Sequence, residues 1–181
     1  LKGHPPAVLW FTGLSGTGKT TLAIALEQRL IRLGMHTMVL DGDSLRGGLN
    51  ADLDFSAHSR SLAVTRTGQI CQLLTDAGLI VIVALISPFA RDRHAVRSSM
   101  HNVRFLEVYL DTPLSVCEYR DPKGLYQKAR RGEIVEFTGI DSPYEPPASA
   151  DLVLQTHVTP LDECVNQLIT LLRLHTLLPP D

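Results

Sequence analysis

A run of apolar residues long enough to cross a bilayer, roughly 20 of them, is missing from this 181-residue chain. Nothing in it reads as a membrane-spanning helix, and the start "LKGHPPAV" has neither the basic nor the apolar part of a signal peptide. Cysteine is scarce: Cys71, Cys117 and Cys164 lie far apart, with no CxxC spacing and no Cys/His pair. A zinc cage and a disulfide framework are therefore not expected, and a reducing cytoplasm is the expected compartment. The seven histidines show no paired ligand spacing, which assigns them to the surface. Excess positive charge is lacking too, since 17 Lys and Arg stand against 19 Asp and Glu for a net charge of −2. Without a basic field, nucleic acid is not an expected partner, and any anion site must be assembled from local cations. No repeat and no low-complexity tract is present. The chain opens on Leu1 rather than methionine and closes on the turn-like "LLPPD", so excision from a longer multidomain chain is an expectation.

What is present fits a single domain over residues 1–181. The continuous apolar runs "AVLWFT", "TMVLD", "LIVIVALI" and "FLEVYLD" read as strands buried on both faces, with "ADLVLQT" a weaker fifth. Helical patterns lie between them: "TTLAIALEQRLIRLG", stopped by Gly34, and a stretch over about 59–77, stopped by Gly78. Further helices are expected after Pro88 and Pro113, with Ser87 and Thr112 as N-caps, and "LDECVNQLITLLRL" is an amphipathic helix suited to packing on a sheet. This alternation predicts an α/β three-layer sandwich: a central five-stranded parallel sheet, helices on both faces, and ligands at the C-terminal strand edge. Two polar segments interrupt the alternation, "GDSLRGGLNADLDFSAHSR" and "RDPKGLYQKARRGEIVEFTGIDSPYEPP". The second reads as a lid over about 121–147, and both are expected above the same sheet edge.

Behind the first strand stands "GLSGTGKT", in which Gly13, Gly18, Lys19 and Thr20 satisfy GxxxxGK[ST]. A strand before it and a helix after it give the pattern its meaning as a P-loop. Backbone N–H groups of Ser15, Gly16, Thr17, Gly18 and Thr21 surround the phosphates of ATP in this reading, and the helix N-terminus adds positive potential. Lys19 reaches the β- and γ-phosphates, and the Thr20 hydroxyl holds Mg²⁺. The pattern identifies a phosphate donor and is silent about the acceptor.

Acceptor chemistry must come from elsewhere. In "LDGDSLR", Asp41 and Asp43 follow the second strand, where a carboxylate can hold Mg²⁺ or take a proton from an attacking hydroxyl. Asp43 is the preferred residue for both roles; the plainer alternative makes it a helix cap, and Asp111 at the end of another strand is a rival. Phe55 offers a face for a base, while Arg46 and Arg60 offer guanidinium forks for an anion. Ile86 and Ser87 end the third strand at the same edge; Ser87 reads most simply as a cap, otherwise as a substrate contact or a phosphorylated serine. The lid contributes Arg120, Lys123, Lys128, Arg130 and Arg131 with Phe137, and such cations can neutralise charge in a phosphoryl-transfer transition state.

Taken together, "LWFTGLSGTGKTTLA", "VLDGDSLRGGLNADLDFS", "DAGLIVIVALISPF", "DTPLSVCEYRDPKGLYQKARRGEI" and "FTGIDSPYEPP" resemble the adenylylsulfate kinases over nearly the whole chain. The resemblance implies a P-loop NTPase-type fold and transfer of the ATP γ-phosphate to the ribose 3′-hydroxyl of adenosine 5′-phosphosulfate, with Mg²⁺. It implies Lys19, Asp43 and Ser87 as catalytic residues, with Thr20 and Asp43 at the metal. Arg120 and Arg130 join the P-loop at ATP. Asp43, Arg46, Phe55, Arg60, Ile86, Ser87, Lys123 and Phe137 form the acceptor pocket, Phe55 stacking on adenine and Arg60 holding the phosphosulfate. A homodimer or larger assembly is implied, with fusion to an ATP sulfurylase known in some members. One stretch departs from the family's "DLGFSxxDRxENIRR": here Asp54 replaces Gly, Ser59 replaces Asp, Ala63 replaces Asn, and Thr65 replaces Arg. Losing the Asn side chain removes hydrogen bonds to substrate, so weakened acceptor binding is expected unless another group takes over. Two competing readings follow: a degenerate kinase domain that binds nucleotide and regulates a partner, or a P-loop small-molecule kinase with another acceptor.

Overall fold

A computed structural model describes residues 2–178. Strand β1 (Ala7–Thr12) is buried at every position, as expected of a run that is apolar on both faces. Helix α1 (Lys19–Arg32) follows the glycine-rich loop, and β2 (Thr37–Asp41) leads directly into the short α2 (Gly42–Arg46). Helix α3 (Ala57–Asp76) begins two residues before the expected start, because Ser56 caps it by accepting from the Ser59 N–H at 3.2 Å. Strand β3 (Ile80–Ala84), α4 (Ala90–Ser99), β4 (Arg104–Leu110), α5 (Leu114–Arg120), α6 (Leu125–Arg130), β5 (Leu152–Leu154) and α7 (Leu161–Leu174) complete the order.

All strand pairings are parallel, in the spatial order β2-β3-β1-β4-β5, with Leu9 of β1 opposite both Ile82 and Leu106. The expected α/β sandwich is therefore the observed one. Leu9, Phe11, Ile82 and Leu106 face a core shared with α1 and α7 through Leu22, Leu26, Leu168 and Leu172. Val8, Trp10, Val81 and Val83 face the opposite core, which Val64, Cys71 and Val96 of α3 and α4 complete. With β3 on one side of β1 and β4 on the other, the chain reverses its direction of winding beside β1, and that crevice is where open parallel sheets bind ligands.

Two expectations about helix starts are corrected. Helix α4 begins at Ala90 with Phe89 at the N-cap and no side-chain cap bond, so Ser87 is not its cap. Helix α5 begins at Leu114 after Pro113, and Thr112 turns instead to share a 2.8 Å hydrogen bond with Thr156. The lid segment also contains more structure than a long loop. Helix α6 lies inside it, and a third apolar cluster of Cys117, Tyr126, Ala129 and Phe137 packs it down.

Candidate active site

A cavity of about 810 Å³ opens at the C-terminal edge of the sheet. It is one continuous space, lined at one end by Ser15–Leu22 and at the other by Asp43, Arg46, Phe55, Arg60 and Phe137.

The donor end is built from backbone. Gly13 has φ 151°, and a Cβ there would come within 2.8 Å of the Leu110 carbonyl oxygen; Gly16 has φ 81°, and its Cβ would sit 3.1 Å from the Cys117 carbonyl oxygen. Both positions therefore require glycine for the loop to curl under the sheet edge. Helix α1 starts without a side-chain cap, which leaves its first N–H groups and its positive pole to the cavity. Lys19 is nearly buried and donates to the Gly13 carbonyl at 2.9 Å, the Leu14 carbonyl at 2.6 Å and Thr17 Oγ1 at 3.3 Å. Burial lowers its pKa to about 8, Lys123 adds to the fall, and Cys117, Asp41 and Asp43 oppose it. Three long-range contacts brace the loop: Tyr126 Oη donates to the Ser15 carbonyl at 2.8 Å, Thr156 Oγ1 to the Thr17 carbonyl at 2.7 Å, and Arg120 to the Gly16 carbonyl at 3.2 Å while also reaching the Thr156 carbonyl at 3.0 Å.

At the end of β2 the two aspartates divide. Thr20 Oγ1 donates to Asp41 Oδ2 at 2.5 Å, and Asp41 Oδ1 caps α2 by accepting from the Asp43 N–H at 3.0 Å. The structure thus brings Asp41, not Asp43, to Thr20. The Asp43 carboxylate instead forms an ion pair with Lys123 across the mouth, linking α2 to the lid. Asp111, the rival carboxylate, lies outside this cavity and accepts from Tyr109 Oη at 3.2 Å.

The acceptor end depends on side chains far apart in sequence. Arg46 lies over the Phe55 ring at 4.3 Å, with Arg60 at 5.8 Å. Arg60 is buried; it donates through Nε to the Phe55 carbonyl at 2.8 Å and through one terminal nitrogen to the Glu136 carbonyl at 2.7 Å, tying this loop to the lid. Burial lowers the pKa of both arginines. Asp54, which stands where the family has glycine, accepts from the Ser56 N–H at 3.0 Å and from Ser56 Oγ at 2.6 Å. These bonds hold its carboxyl down at about 2. Ile86 and Ser87 line the cavity from the end of β3. Ser87 is buried at φ 40°, a strained value for serine, and Trp10 Nε1 donates to its Oγ at 3.0 Å. The turn is fastened by Arg93, which donates to the Ser87 carbonyl at 2.7 Å, the Glu145 carbonyl at 2.8 Å and Glu107 Oε1 at 2.6 Å.

The lid cations separate. Arg120 and Lys123 line the cavity, whereas Arg130 pairs with Glu118 at 2.6 Å and Arg131 with Glu133 at 2.6 Å, both away from the lining. Arg130 is the one expected nucleotide-contacting residue that stands clear of the cavity wall apart from Gly13, whose carbonyl nonetheless meets Lys19. Sequence reasoning did not single out Asn50, Arg93 and Tyr126; Asn50 was within reach, since it sits inside the polar "GGLN" segment already marked for the acceptor.

A family model described as adenylylsulphate kinase matches residues 5–155. The chain belongs to the adenylylsulfate kinase family. Among its relatives, an adenylyl-sulfate kinase of Marinobacter nauticus is 53% identical over 95% of this chain and 86% of its own. Another, of Vibrio cholerae, is 56% identical over 92% of this chain and 78% of its own. The Mycobacterium tuberculosis APS kinase solved with AMPPNP and APS superposes with a TM-score of 0.90 at 47% identity, covering 94% of this chain and 99% of that one. In this adenylylsulfate kinase family member Ala63, the position at which the resemblance leads one to expect Asn, lies on the cavity wall.

Proposed function

We propose that the chain transfers the γ-phosphoryl group of ATP to the 3′-hydroxyl of adenosine 5′-phosphosulfate, releasing ADP and 3′-phosphoadenosine 5′-phosphosulfate. The observation that carries the reading is the single cavity joining a complete phosphate loop to an aromatic face flanked by two arginines. Such a shape binds both substrates with the hydroxyl and the γ-phosphorus facing each other, and phosphoryl transfer needs little beyond that positioning and charge stabilisation.

In this reading the α1 N-terminus and Lys19 hold the β- and γ-phosphates. Arg120, already seated on the loop carbonyls, covers them from the lid side. Phe55 stacks on the adenine while Arg46 and Arg60 hold the phosphosulfate, Phe137 and Ile86 closing the pocket. Asp43 orients the 3′-hydroxyl and accepts its proton, and Lys123 counters the charge that develops beside it. Ser87, with its Oγ already accepting from Trp10, serves by shaping the turn. The hydroxyl of Thr20 and the carboxylate of Asp41 make an oxygen pair of the kind Mg²⁺ prefers, and these two residues would hold the ion. Its chemistry there would be neutralisation of phosphate charge. The lid spans about 121–147 and the whole of 1–181 acts as one kinase domain.

No helix among the described residues is long and apolar enough to cross a membrane. The three cysteines are buried thiols, which fits a reducing cytoplasm. Assembly into a homodimer or larger unit belongs to the same reading, with exposed Ile24, Ile31 and Leu33 as apolar surface for it. The two curated relatives named above give no support for fusion to a sulfurylase, since this chain spans 86% and 78% of their own length.

ADP release with ATP and Mg²⁺ tests the proposal when adenylylsulfate, a sugar, a nucleoside monophosphate or no acceptor is offered. Turnover with adenylylsulfate alone is the expected result. Nucleotide binding without turnover would replace it with a degenerate regulatory domain, and preference for another acceptor with a different small-molecule kinase.

A further inference from the structure

The cavity wall contains a polar group that no interaction within the protein accounts for. Asn50 is 2% exposed, and its Oδ1 has no hydrogen-bond partner among the described residues. Thr37, Thr138 and His157 also carry a buried unpartnered atom, but none of them lines the cavity, whereas Asn50 does. A buried amide oxygen left without a donor is costly, and native proteins rarely keep one without a use.

The backbone around Asn50 is held firmly. Its N–H donates to the Leu45 carbonyl at 2.8 Å, and its carbonyl accepts from the Leu53 N–H at 3.1 Å. Arg66 clamps the loop on both sides, donating to the Leu49 carbonyl at 3.0 Å and forming a two-point ion pair with Asp52 at 2.7 and 2.8 Å. The residue is therefore held on a fixed support in the wall of a cavity that Arg46, Phe55, Arg60 and Ala63 also line. The Ala63 methyl group offers no hydrogen bond, so on this wall the amide of Asn50 is the group able to do what an asparagine at 63 would do.

We propose that Asn50 is a substrate-binding residue whose side-chain oxygen accepts a hydrogen bond from the adenosine portion of the acceptor. This rests on the adenylylsulfate reading above. An amide oxygen can only accept, and the phosphosulfate group offers no donor at neutral pH, so the partner is the exocyclic amine or a ribose hydroxyl. The division of labour is then chemical: the arginines read the anion, and Asn50 reads the nucleoside.

The test uses three analogues of adenylylsulfate, each lacking one donor: the exocyclic amine, the 2′-hydroxyl or the 3′-hydroxyl. Their affinities are measured by calorimetry on the unaltered protein and on Asn50→Leu, which keeps the volume and removes the acceptor. One analogue is expected to bind the unaltered protein about tenfold more weakly than adenylylsulfate, ~1.4 kcal/mol, while Asn50→Leu no longer separates the two. In steady state Asn50→Leu raises KM for adenylylsulfate by about tenfold, leaves KM for ATP in place, and does not lower the thermal midpoint. Asn50→Ala gives the same pattern in KM and serves should the leucine variant fail to fold. If all three analogues keep the same affinity ratios in the variant as in the unaltered protein, or if stability falls while KM for adenylylsulfate does not move, the inference is overturned. Failure of the unaltered protein to bind adenylylsulfate is a separate result: it removes the functional reading, and this inference with it.

Discussion

The two ends of the cavity are made differently. The donor end is a nine-residue stretch of backbone, Thr12–Thr20, whose shape follows from glycines at required positions and from Lys19 folding onto its own loop carbonyls. The acceptor end has no such local unit. Arg60 joins Phe55 to Glu136, Lys123 joins the lid to Asp43, and Arg93 joins Ser87 to Glu107 and Glu145, so each element is positioned by residues distant in the chain. The phosphate cradle takes its shape from local sequence and is only braced from outside, by Tyr126, Arg120 and Thr156, whereas the acceptor pocket is assembled from side chains that the whole fold brings together.

Substitutions can separate the ends. The largest effect is expected from Arg93→Ala, which leaves the half-buried Glu107 carboxylate and the buried Ser87 carbonyl without their partner at a cost of about 3–5 kcal/mol, read as a fall in the unfolding midpoint. If the comparison holds, whatever folded protein remains loses acceptor affinity more than ATP affinity. Lys19→Ala does the opposite: kcat falls about 100- to 1000-fold, while adenylylsulfate binding measured without ATP is nearly unchanged. Arg60→Ala is expected to raise KM for adenylylsulfate by roughly 10- to 150-fold, the equivalent of a charge-assisted hydrogen bond, with KM for ATP little altered.

A pH profile probes the donor end without mutation. Below about 8 the Lys19 amine is charged and attracts the phosphates; as pH rises through about 8 it loses its proton, so kcat/KM for ATP falls by up to about tenfold per unit. Lys19→Arg should remove that fall. Stability moves the other way. Between about 8 and the ordinary 10.5 the unfolded chain holds a proton that the folded lysine has released, so this group makes folding more favourable as pH rises through that window. The smallest effect is expected from Ala63→Asn, which restores the family's amide and should lower KM for adenylylsulfate by about two- to tenfold.

The sheet was legible because its strands are uninterrupted apolar runs, and "LDECVNQLITLLRL" became α7 over the same residues. The phosphate loop was legible for the same local reason. Ser87 was misread because its propensity to cap a helix was outweighed by tertiary bonds: Trp10, 77 positions away, donates to its hydroxyl, and Arg93 holds its carbonyl. Asp41 was ranked below Asp43, yet only the fold shows that Thr20 reaches Asp41 while Asp43 reaches Lys123. Arg130, expected at the nucleotide, pairs in the fold with Glu118 of the preceding helix, a partner that the charged run did not single out. Asn50 belongs to a segment whose polarity was plain, but its own part emerges only in the fold, as a buried oxygen without a partner.

The most direct measurement is phosphorus NMR of a reaction containing ATP, Mg²⁺ and adenylylsulfate. The account predicts ADP together with one new phosphomonoester resonance coupled to the ribose 3′ proton, in equal amounts and with the phosphosulfate intact. ADP appearing with inorganic phosphate alone, or a phosphomonoester at another position, would contradict it.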